Sequence, residues 1–196
     1  MINYLGISDF SVVAFIGVLF AFAVTCMAIA KLNPFLPKDL GRQFAHDGTL
    51  SAGKPRGAGI IFIFVFVIAA LLFSQINMEI AIYLCLVTIE MFTGFFDDAS
   101  EKPWGEYLKG FLDLIVAVVV ALVYLHYNTN EVTLAFANIT FEIPPVLFAL
   151  LTIVLVWASI NVTNCSDGVD GLSGTLTIIS IMTFFVIDNL IGVDDP

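Results

Sequence analysis

Asn161-Val-Thr-Asn-Cys-Ser-Asp-Gly-Val-Asp-Gly-Leu-Ser-Gly174 is a polar stretch between two apolar runs, 143–160 and 172–187. It holds two amides, two carboxylates and three glycines in fourteen residues. Polar side chains this dense beside a membrane segment are costly unless they have a function. On a helical turn, a spacing of three puts neighbouring side chains on one side. Four polar residues here have that spacing: Asn161, Asn164, Asp167 and Asp170.

The same stretch suits a metal-bound phosphate or a nucleotide. Gly168 and Gly171 permit positive φ and let a ligand approach the backbone closely. Amide and carboxylate oxygens bind hard cations, and exposed backbone N–H groups bind phosphate. The alternative is a polar turn that connects two helices, with Asp and Gly as caps. Such a turn does not require four polar side chains in register, so we favour a binding site.

The composition is that of an integral membrane protein. The chain is 60% hydrophobic and 12% charged, with a mean hydropathy of +1.02. Three cysteines at wide spacing predict neither a disulfide framework nor a zinc site. Apolar runs of this length predict an all-α polytopic fold with six transmembrane helices. The runs cover residues 10–30, 57–78, 80–96, 110–127, 143–160 and 172–187.

The basic residues indicate the orientation in the membrane. All seven lie in the connections after the first and third runs: Lys31, Lys38, Arg42, Lys54, Arg56, Lys102 and Lys109. Because basic loops remain in the cytoplasm, the N-terminus is expected outside and both of these loops inside. The connection after the fifth run, which holds residues 161–171, is then cytoplasmic as well. The polar residues of 31–56, 97–109 and 161–171 therefore face one compartment.

The connection between the fourth and fifth runs has a different pattern. Residues 131–136 and 139–143 alternate between polar and apolar and are rich in β-branched side chains. This predicts two short strands joined by a two-residue turn at Ala137-Asn138, forming a small hairpin outside the membrane.

Two further clusters could act on phosphate. Gly53-Lys-Pro-Arg-Gly-Ala-Gly59 begins the second run, and glycines with Lys54 and Arg56 at a helix N-terminus suit phosphate. Cytoplasmic basic flanking explains these two residues nearly as well. Asp97 and Asp98 end the third run, where an acidic pair can bind Mg²⁺ or act as a general base. Acids there oppose the helix dipole, which makes simple solvation of the helix end the poorer explanation.

Other polar residues lie near Asp97 and Asp98 in the sequence. Lys102 and Lys109 follow this pair and could neutralise phosphate, although they could equally anchor the helix. Glu90 and Asp113 are candidate supporting groups inside the apolar runs. For Glu90, a hydrogen bond to a neighbouring helix is an equal alternative.

Taken in order, the three clusters resemble the polyprenyl-phosphate N-acetylhexosamine-1-phosphate transferases. Gly94-Phe-Phe-Asp-Asp98 is similar to the Gly-Phe-x-Asp-Asp of that family. Residues 161–172 are similar to its Asn-x-x-Asn-x-x-Asp-Gly-x-Asp-Gly-Leu signature. Residues 51–59 depart from its glycine-rich loop, with Lys54 and Arg56 at altered positions.

The resemblance implies a Mg²⁺-dependent transfer of phospho-N-acetylmuramoyl-pentapeptide from its UDP carrier to undecaprenyl phosphate, with release of UMP. It implies Asp97, Asp98 and Asp167 as catalytic residues. It implies Asp98, Asn164 and Asp167 as metal ligands. Substrate contacts are expected from Lys54, Arg56, Lys102, Lys109, Asn161, Asn164, Gly168 and Asp170. In this interpretation Gly168 and Asp170 bind the uridine.

The resemblance also implies a location and partners. The chain is expected in the bacterial plasma membrane, with a cytoplasmic site. Besides the bilayer, undecaprenyl phosphate and the UDP-sugar, it allows a homodimer and uridine-containing nucleoside inhibitors, and no nucleic acid. Residues 1–196 are expected to form a single membrane domain. Because the family has more helices than six, we expect this domain to be the N-terminal portion of a longer transferase.

Three other functions fit part of the sequence. Another UDP-N-acetylhexosamine transferase of the same superfamily would use the same motifs. A UbiA-like membrane prenyltransferase also uses Asp-rich motifs, but with a four-residue spacing that 164–170 lacks. A cation transporter could use intramembrane acids such as Glu90 and Asp113. It would not need a glycine-rich turn with alternating Asp.

Overall fold

The computed structural model describes residues 10–39, 52–100, 102, 104–134, 137, 139–166 and 171–191. These residues form six α-helices, a short 3₁₀ helix at Asn33–Phe35 and one two-stranded sheet. The helices are α1 (Phe10–Leu32), α2 (Gly59–Phe73), α3 (Met78–Ala99), α4 (Glu106–Tyr127), α5 (Pro145–Ser166) and α6 (Leu172–Ile191). The strands are β1 (Glu131–Leu134) and β2 (Ile139–Glu142).

The predicted fold class is confirmed, and the chain is a multi-pass membrane protein. Four helices are long and apolar enough to cross a membrane: α1, α3, α4 and α5. The second run forms the shorter apolar helix α2, Gly59–Phe73. The sixth run forms a short apolar segment within α6, Leu172–Ile187. Most large apolar side chains of the helices are exposed, as expected where lipid replaces water as the solvent.

The second apolar run ends earlier than predicted. The sequence places its end at Met78, but α2 stops at Phe73 and Ser74 has an extended backbone. Asn77 then caps the next helix, because its side-chain oxygen accepts a hydrogen bond of 2.8 Å from the Ile80 amide. An N-cap of this kind satisfies one of the free N–H groups of a helix terminus. Hydropathy did not reveal this break, because only Ser74, Gln75 and Asn77 are polar there.

From α1 to α5, consecutive helices pack side by side in an antiparallel order. The most extensive packing joins α4 to α5. Near the start of α4, the Gly110 carbonyl accepts a hydrogen bond of 2.7 Å from the Trp157 indole of α5. Near its end, the rings of Tyr124 and Phe148 stack with centroids 5.6 Å apart. In α4, Ala117 and Ala121 are completely buried, and small residues let helices approach closely.

The hairpin between α4 and α5 is confirmed, but its predicted turn is wrong. The register pairs Glu131 with Glu142 and Leu134 with Ile139, which leaves four residues in the connection. The Ala137 amide donates a hydrogen bond of 3.0 Å to the Leu134 carbonyl. Ala-Asn lacks the glycine that favours a two-residue turn with positive φ, so a longer connection forms.

The alternation of helices gives the bundle two distinct ends. We call one the charged end; it holds residues 37–39 and 52–58, the C-terminal turns of α3 and α5, and the N-terminal turn of α4. We call the other the hairpin end; it holds residues 74–79 and 124–147. The described parts of all three predicted polar clusters lie at the charged end.

Candidate active site

Each aspartate of the predicted acidic pair forms an ion pair with a different cation. Asp98 Oδ1 lies 2.8 Å from Arg56 Nη2, and Asp97 Oδ2 lies 2.6 Å from Lys109 Nζ. Both acids stand in the last turn of α3, where the helix dipole disfavours negative charge. The two cations offset this cost. They come from the segment before α2 and from the first turns of α4, so the site joins three elements.

Asp97 is less exposed than Asp98, and both of its carboxylate oxygens are bonded. Its Oδ1 accepts a hydrogen bond of 2.7 Å from the backbone N–H of Trp104, while Oδ2 accepts from Lys109. Its side chain is 16% exposed, against 32% for Asp98. Both oxygens of Asp97 are therefore engaged, and its carboxylate is fixed in orientation.

Trp104 and Ser100 shape the connection between α3 and α4. The Trp104 indole N–H donates a hydrogen bond of 3.0 Å to Ser100 Oγ. Ser100 Oγ in turn donates a hydrogen bond of 2.6 Å to the Phe96 carbonyl in the last turn of α3. The indole therefore ties the connection back to α3 and supports the position of its own backbone N–H beside Asp97.

The glycine-rich segment is held by pairing with residues 37–39, near the start of the same connection between α1 and α2. Lys38 and Pro55 form an antiparallel bridge. The Asp39 amide donates to the Lys54 carbonyl and the Arg56 amide to the Pro37 carbonyl, each at 2.8 Å. This pairing fixes the backbone on both sides of Pro55, directly before the arginine that reaches Asp98.

Gly57 lets this segment lie directly against α3. Its φ of +69° is in the left-handed region that favours glycine. A Cβ atom at this position would lie 3.0 Å from the Phe95 ring and 3.7 Å from Asp98 Cβ. The absent side chain thus permits the close approach that brings Arg56 to Asp98.

Asn161 connects the polar stretch 161–174 to the acidic pair of α3 through Asp113. Asn161 lies on α5, and its side-chain amide donates a hydrogen bond of 2.9 Å to the Trp157 carbonyl. Its side chain also lies close enough to Asp113 of α4 to interact with that carboxylate. Asp113 is 5% exposed and lies one turn after Lys109, with which it interacts electrostatically. A continuous polar path therefore runs from Asn161 to Asp97.

Glu90 lies one step deeper in the bundle. It interacts electrostatically with Asp113. Within the described residues, its buried Oε1 has no hydrogen-bond partner. The hydrogen bond to a neighbouring helix that the sequence left open is thus not formed by this oxygen. A supporting role of Glu90 in the site stays a prediction.

The structure gives less about the remaining predicted site residues. Lys54, Lys102 and Asn164 are exposed, and Lys54 has an interaction partner. Asp167, Gly168 and Asp170 lie outside the described residues. The positive φ predicted near the end of this stretch is present at Gly171, with a value of +79°.

The charged end offers oxygen donors of the kind that hard divalent cations bind. The carboxylate of Asp98 and the amide of Asn164 offer oxygen ligands, which Mg²⁺ prefers. Among the described residues, no three His, Cys, Asp or Glu side chains are grouped closely enough to hold an ion. The predicted set depends on Asp167 as well, and that residue is outside the described part of the chain.

Sequence reasoning missed three residues that shape the site. Trp104, Ser100 and Trp157 each fix a helix end or connection by a side-chain hydrogen bond. A tryptophan in a polar connection next to Pro103 and Gly105 is the signal that could have identified Trp104. Trp157, four residues before Asn161 on α5, could have been found from that helical spacing.

Comparison with known proteins identifies a family. The family described as glycosyl transferase family 4 matches residues 80–195. A phospho-N-acetylmuramoyl-pentapeptide-transferase of Treponema pallidum (strain Nichols) is 36% identical over 192 residues, covering 94% of this chain and 53% of the relative. Proteins of the same name from Thermoanaerobacter sp. (strain X514) and Listeria monocytogenes are 28% and 29% identical, covering 87% and 85% of this chain. These matches cover 57% and 56% of the two relatives. The chain thus spans about half the length of the curated relatives it matches.

Proposed function

Because the chain belongs to glycosyl transferase family 4, we propose that it transfers phospho-N-acetylmuramoyl-pentapeptide from UDP to undecaprenyl phosphate. The proposed product is the first lipid-linked intermediate of peptidoglycan synthesis. The family and the names of the relatives favour this reaction over prenyl transfer or cation transport. One observation supports it most: Arg56 reaches Asp98 across 42 residues of sequence, beside the Asp97–Lys109 pair.

The proposed reaction exchanges one phosphoanhydride for another. An oxygen of undecaprenyl phosphate attacks the phosphorus that is bonded to the sugar. A new P–O–P bond forms, the bond to the uridine-side phosphate breaks, and UMP leaves with the electron pair. Phosphoryl transfer of this kind depends mainly on positioning and on charge stabilisation. A cluster of two carboxylates and two cations can supply both.

Asp97 and Lys109 are proposed to receive the lipid phosphate. Lys109 Nζ is bound to Asp97 and 27% of its side chain is exposed, so it can contact an arriving phosphate without leaving the site. Asp97 then accepts the proton of a protonated phosphate or orients its attacking oxygen. The Trp104 N–H keeps the carboxylate in place while Lys109 interacts with phosphate.

Arg56 and Lys54 are proposed to bind the pyrophosphate of the sugar nucleotide. The Arg56 side chain is 35% exposed, and a guanidinium can bind phosphate through two parallel hydrogen bonds. Lys54 precedes it on the paired segment at the cytoplasmic surface, where Lys102 adds further positive charge. These residues offset the negative charge that builds up around the transferred phosphorus.

Asp98, Asn164 and Asp167 are proposed to hold Mg²⁺. When bound, the ion neutralises charge on the pyrophosphate and stabilises the leaving phosphate. Asn161 would support this set through its interaction with Asp113. Asp170 and the Gly168 backbone are proposed to bind the uridine, which orients the nucleotide relative to Asp97.

An assay of UMP release tests the reaction. Membranes that carry the protein are incubated with Mg²⁺, undecaprenyl phosphate and one UDP-sugar at a time. We expect UMP from UDP-N-acetylmuramoyl-pentapeptide, and none without the lipid phosphate or with EDTA. UMP from UDP-N-acetylglucosamine alone would assign the protein to another transferase of this superfamily.

The cytoplasmic location of the site is tested by labelling single cysteines. Cys26, Cys85 and Cys165 are first replaced by alanine, and a cysteine is introduced at Ser100 or at Asn130. A membrane-impermeant maleimide should label position 130 in intact cells and position 100 only after the cells are opened. Labelling of both positions from the same side would overturn the proposed orientation.

A further inference from the structure

The hairpin between α4 and α5 has one polar and one apolar face. On one face, Glu131 pairs with Glu142, and Thr133 Oγ1 lies 2.9 Å from Thr140 Oγ1. On the other face, two cross-strand pairs are entirely apolar: Val132 with Phe141 and Leu134 with Ile139. Because successive side chains of a strand point to opposite faces, the ribbon is amphipathic along its whole length.

The apolar face requires a surface to cover it. A two-stranded hairpin with four residue pairs is marginally stable in water unless it packs against something. Ile139 is 52% exposed and Phe141 is 43% exposed. The apolar side chains therefore remain partly uncovered by the described part of the chain.

The hairpin is fixed close to the membrane-spanning helices. Only residues 128–130 separate it from α4, and residues 143–144 separate it from α5. Its base is closed by Asn130, whose side-chain amide donates a hydrogen bond of 2.6 Å to the Ile143 carbonyl. At the end of α4, the Asn128 side-chain amide donates a hydrogen bond of 2.6 Å to Glu79 of α3. Short, bonded connections hold the ribbon next to the lipid-facing surface.

The neighbouring side chains are those of a membrane interface. Tyr124 and Tyr127 lie in the last turn of α4 and are 37% and 44% exposed. Tyrosines of this kind are enriched where the acyl chains meet the headgroups. On the other side of the hairpin, Val146, the second residue of α5, is 75% exposed. The hairpin thus lies beside exposed apolar and aromatic side chains of α4 and α5.

From this arrangement we propose that the hairpin lies on the outer surface of the bilayer, with Val132, Leu134, Ile139 and Phe141 in the lipid interface. Glu131 and Glu142 then face water. This orientation covers the apolar face while it avoids the cost of carboxylates among acyl chains. It also keeps two like charges, which repel when directly opposite on a sheet, in the medium that screens them best.

Nitroxide accessibility tests the orientation of the ribbon. In the protein with its three native cysteines replaced by alanine, a spin label is attached to Phe141→Cys or to the matched control Thr140→Cys. The protein is reconstituted in vesicles of phosphatidylethanolamine and phosphatidylglycerol. Collision with oxygen, which concentrates in lipid, is compared with collision with a water-soluble nickel chelate.

We expect the label at position 141 to collide more with oxygen and the label at position 140 to collide more with nickel. A second pair on β1, Val132→Cys and Thr133→Cys, should repeat the alternation, which shows that the hairpin remains folded. Greater nickel accessibility at both faces would overturn the proposal. So would shielding of positions 132 and 141 from both reagents, because that result would indicate a protein partner on this face.

Discussion

The carboxylates at the two ends of the bundle have different bonding partners. At the charged end, Asp97 and Asp98 are paired with Lys109 and Arg56. At the hairpin end, Glu79 accepts hydrogen bonds from two neutral groups, the Tyr83 hydroxyl at 3.0 Å and the Asn128 amide at 2.6 Å. The connections at the hairpin end, 74–77 and 128–144, contain no Lys or Arg.

From this difference we expect phosphate binding at the charged end and a structural role for the carboxylate at the hairpin end. A lysine or arginine that already holds a carboxylate can also hold a phosphate, so the charged end can bind an anion and keep its own charges compensated. A carboxylate bonded to a hydroxyl and an amide connects two helices but attracts no anion. We therefore expect substitutions at the charged end to change turnover, and those at the hairpin end to change stability.

The largest effect is expected for Asp97→Asn. The substitution keeps the shape of the side chain but removes the charge that a proton or Lys109 requires. Turnover should fall by a factor of roughly a hundred or more, the lower range for loss of a general base. It is measured as UMP release per amount of protein in the membrane, as determined by immunoblot.

Glu79→Gln is the matched control at the hairpin end. Glutamine also removes one negative charge from α3 but still offers an oxygen to Tyr83 and Asn128. Its turnover should stay within about twofold of the unmodified protein, because the half-buried glutamine keeps an oxygen for both partners and lies at the end opposite Asp97. Equal losses in both variants would show that the two ends do not differ in function.

A smaller loss is expected for Arg56→Ala. A hydrogen bond to a charged group contributes about 1.5–3 kcal/mol, which corresponds to roughly a tenfold to hundredfold loss of turnover. Lysine at position 56 should retain more activity than alanine, since it keeps the charge but not the planar fork. The measurement is kcat/KM for the UDP-sugar.

A charge exchange between positions 56 and 98 checks the cause of that loss. The double variant Arg56→Asp with Asp98→Arg restores the ion pair but moves the cation onto α3. If the pair only stabilises the fold, the exchange should restore turnover. We expect it to restore protein yield and not turnover, because it moves the guanidinium off the glycine-rich segment and also removes the carboxylate proposed to hold Mg²⁺.

Much of this arrangement was predictable from the sequence. The apolar runs and the restriction of basic residues to alternate connections predict a bundle whose polar clusters share one end. The alternation at 131–143 predicts the hairpin. Regular patterns of this kind report burial and spacing, because both follow from the order of polar and apolar residues along the chain.

Contacts that depend on side-chain geometry could not be predicted. From the sequence, Lys109 could either neutralise phosphate or anchor the helix. Only the structure shows its amine 2.6 Å from Asp97. A tryptophan in a polar connection could have drawn attention to Trp104, but its contact with Asp97 uses a backbone N–H, which no residue type indicates. The end of α2 at Phe73 depends on the Asn77 cap, which the high hydropathy of this region concealed.

Gly57→Ala should affect stability and turnover together. Its Cβ would meet Phe95 at 3.0 Å, and a non-glycine residue with positive φ costs about 1–3 kcal/mol. The segment that carries Arg56 should therefore detach from α3 in part of the population. Thermal unfolding in detergent should show a lower midpoint, and KM for the UDP-sugar should rise.

Gly53→Ala provides a control for Gly57→Ala. Gly53 also has a positive φ, of +82°, but no atom lies within 4 Å of the position of its Cβ. It therefore separates backbone strain from steric contact with α3. If both variants raised KM equally, contact with Phe95 would not be the cause.

The smallest effect is expected for Asn128→Ala at the hairpin end. The substitution removes the amide that bonds Glu79, but the Tyr83 hydroxyl remains as a partner of that carboxylate. The hydrogen bond is exposed, so its loss should cost only about 0.5–1.5 kcal/mol of stability. Turnover should not change, because the bond lies at the opposite end from Asp97. Glu79→Gln combined with Asn128→Ala should then add little, since both substitutions act on the same contact. A loss of turnover in Asn128→Ala at unchanged thermal stability would mean that the hairpin end acts on the reaction, and the assignment of one end to binding and the other to structure would be wrong.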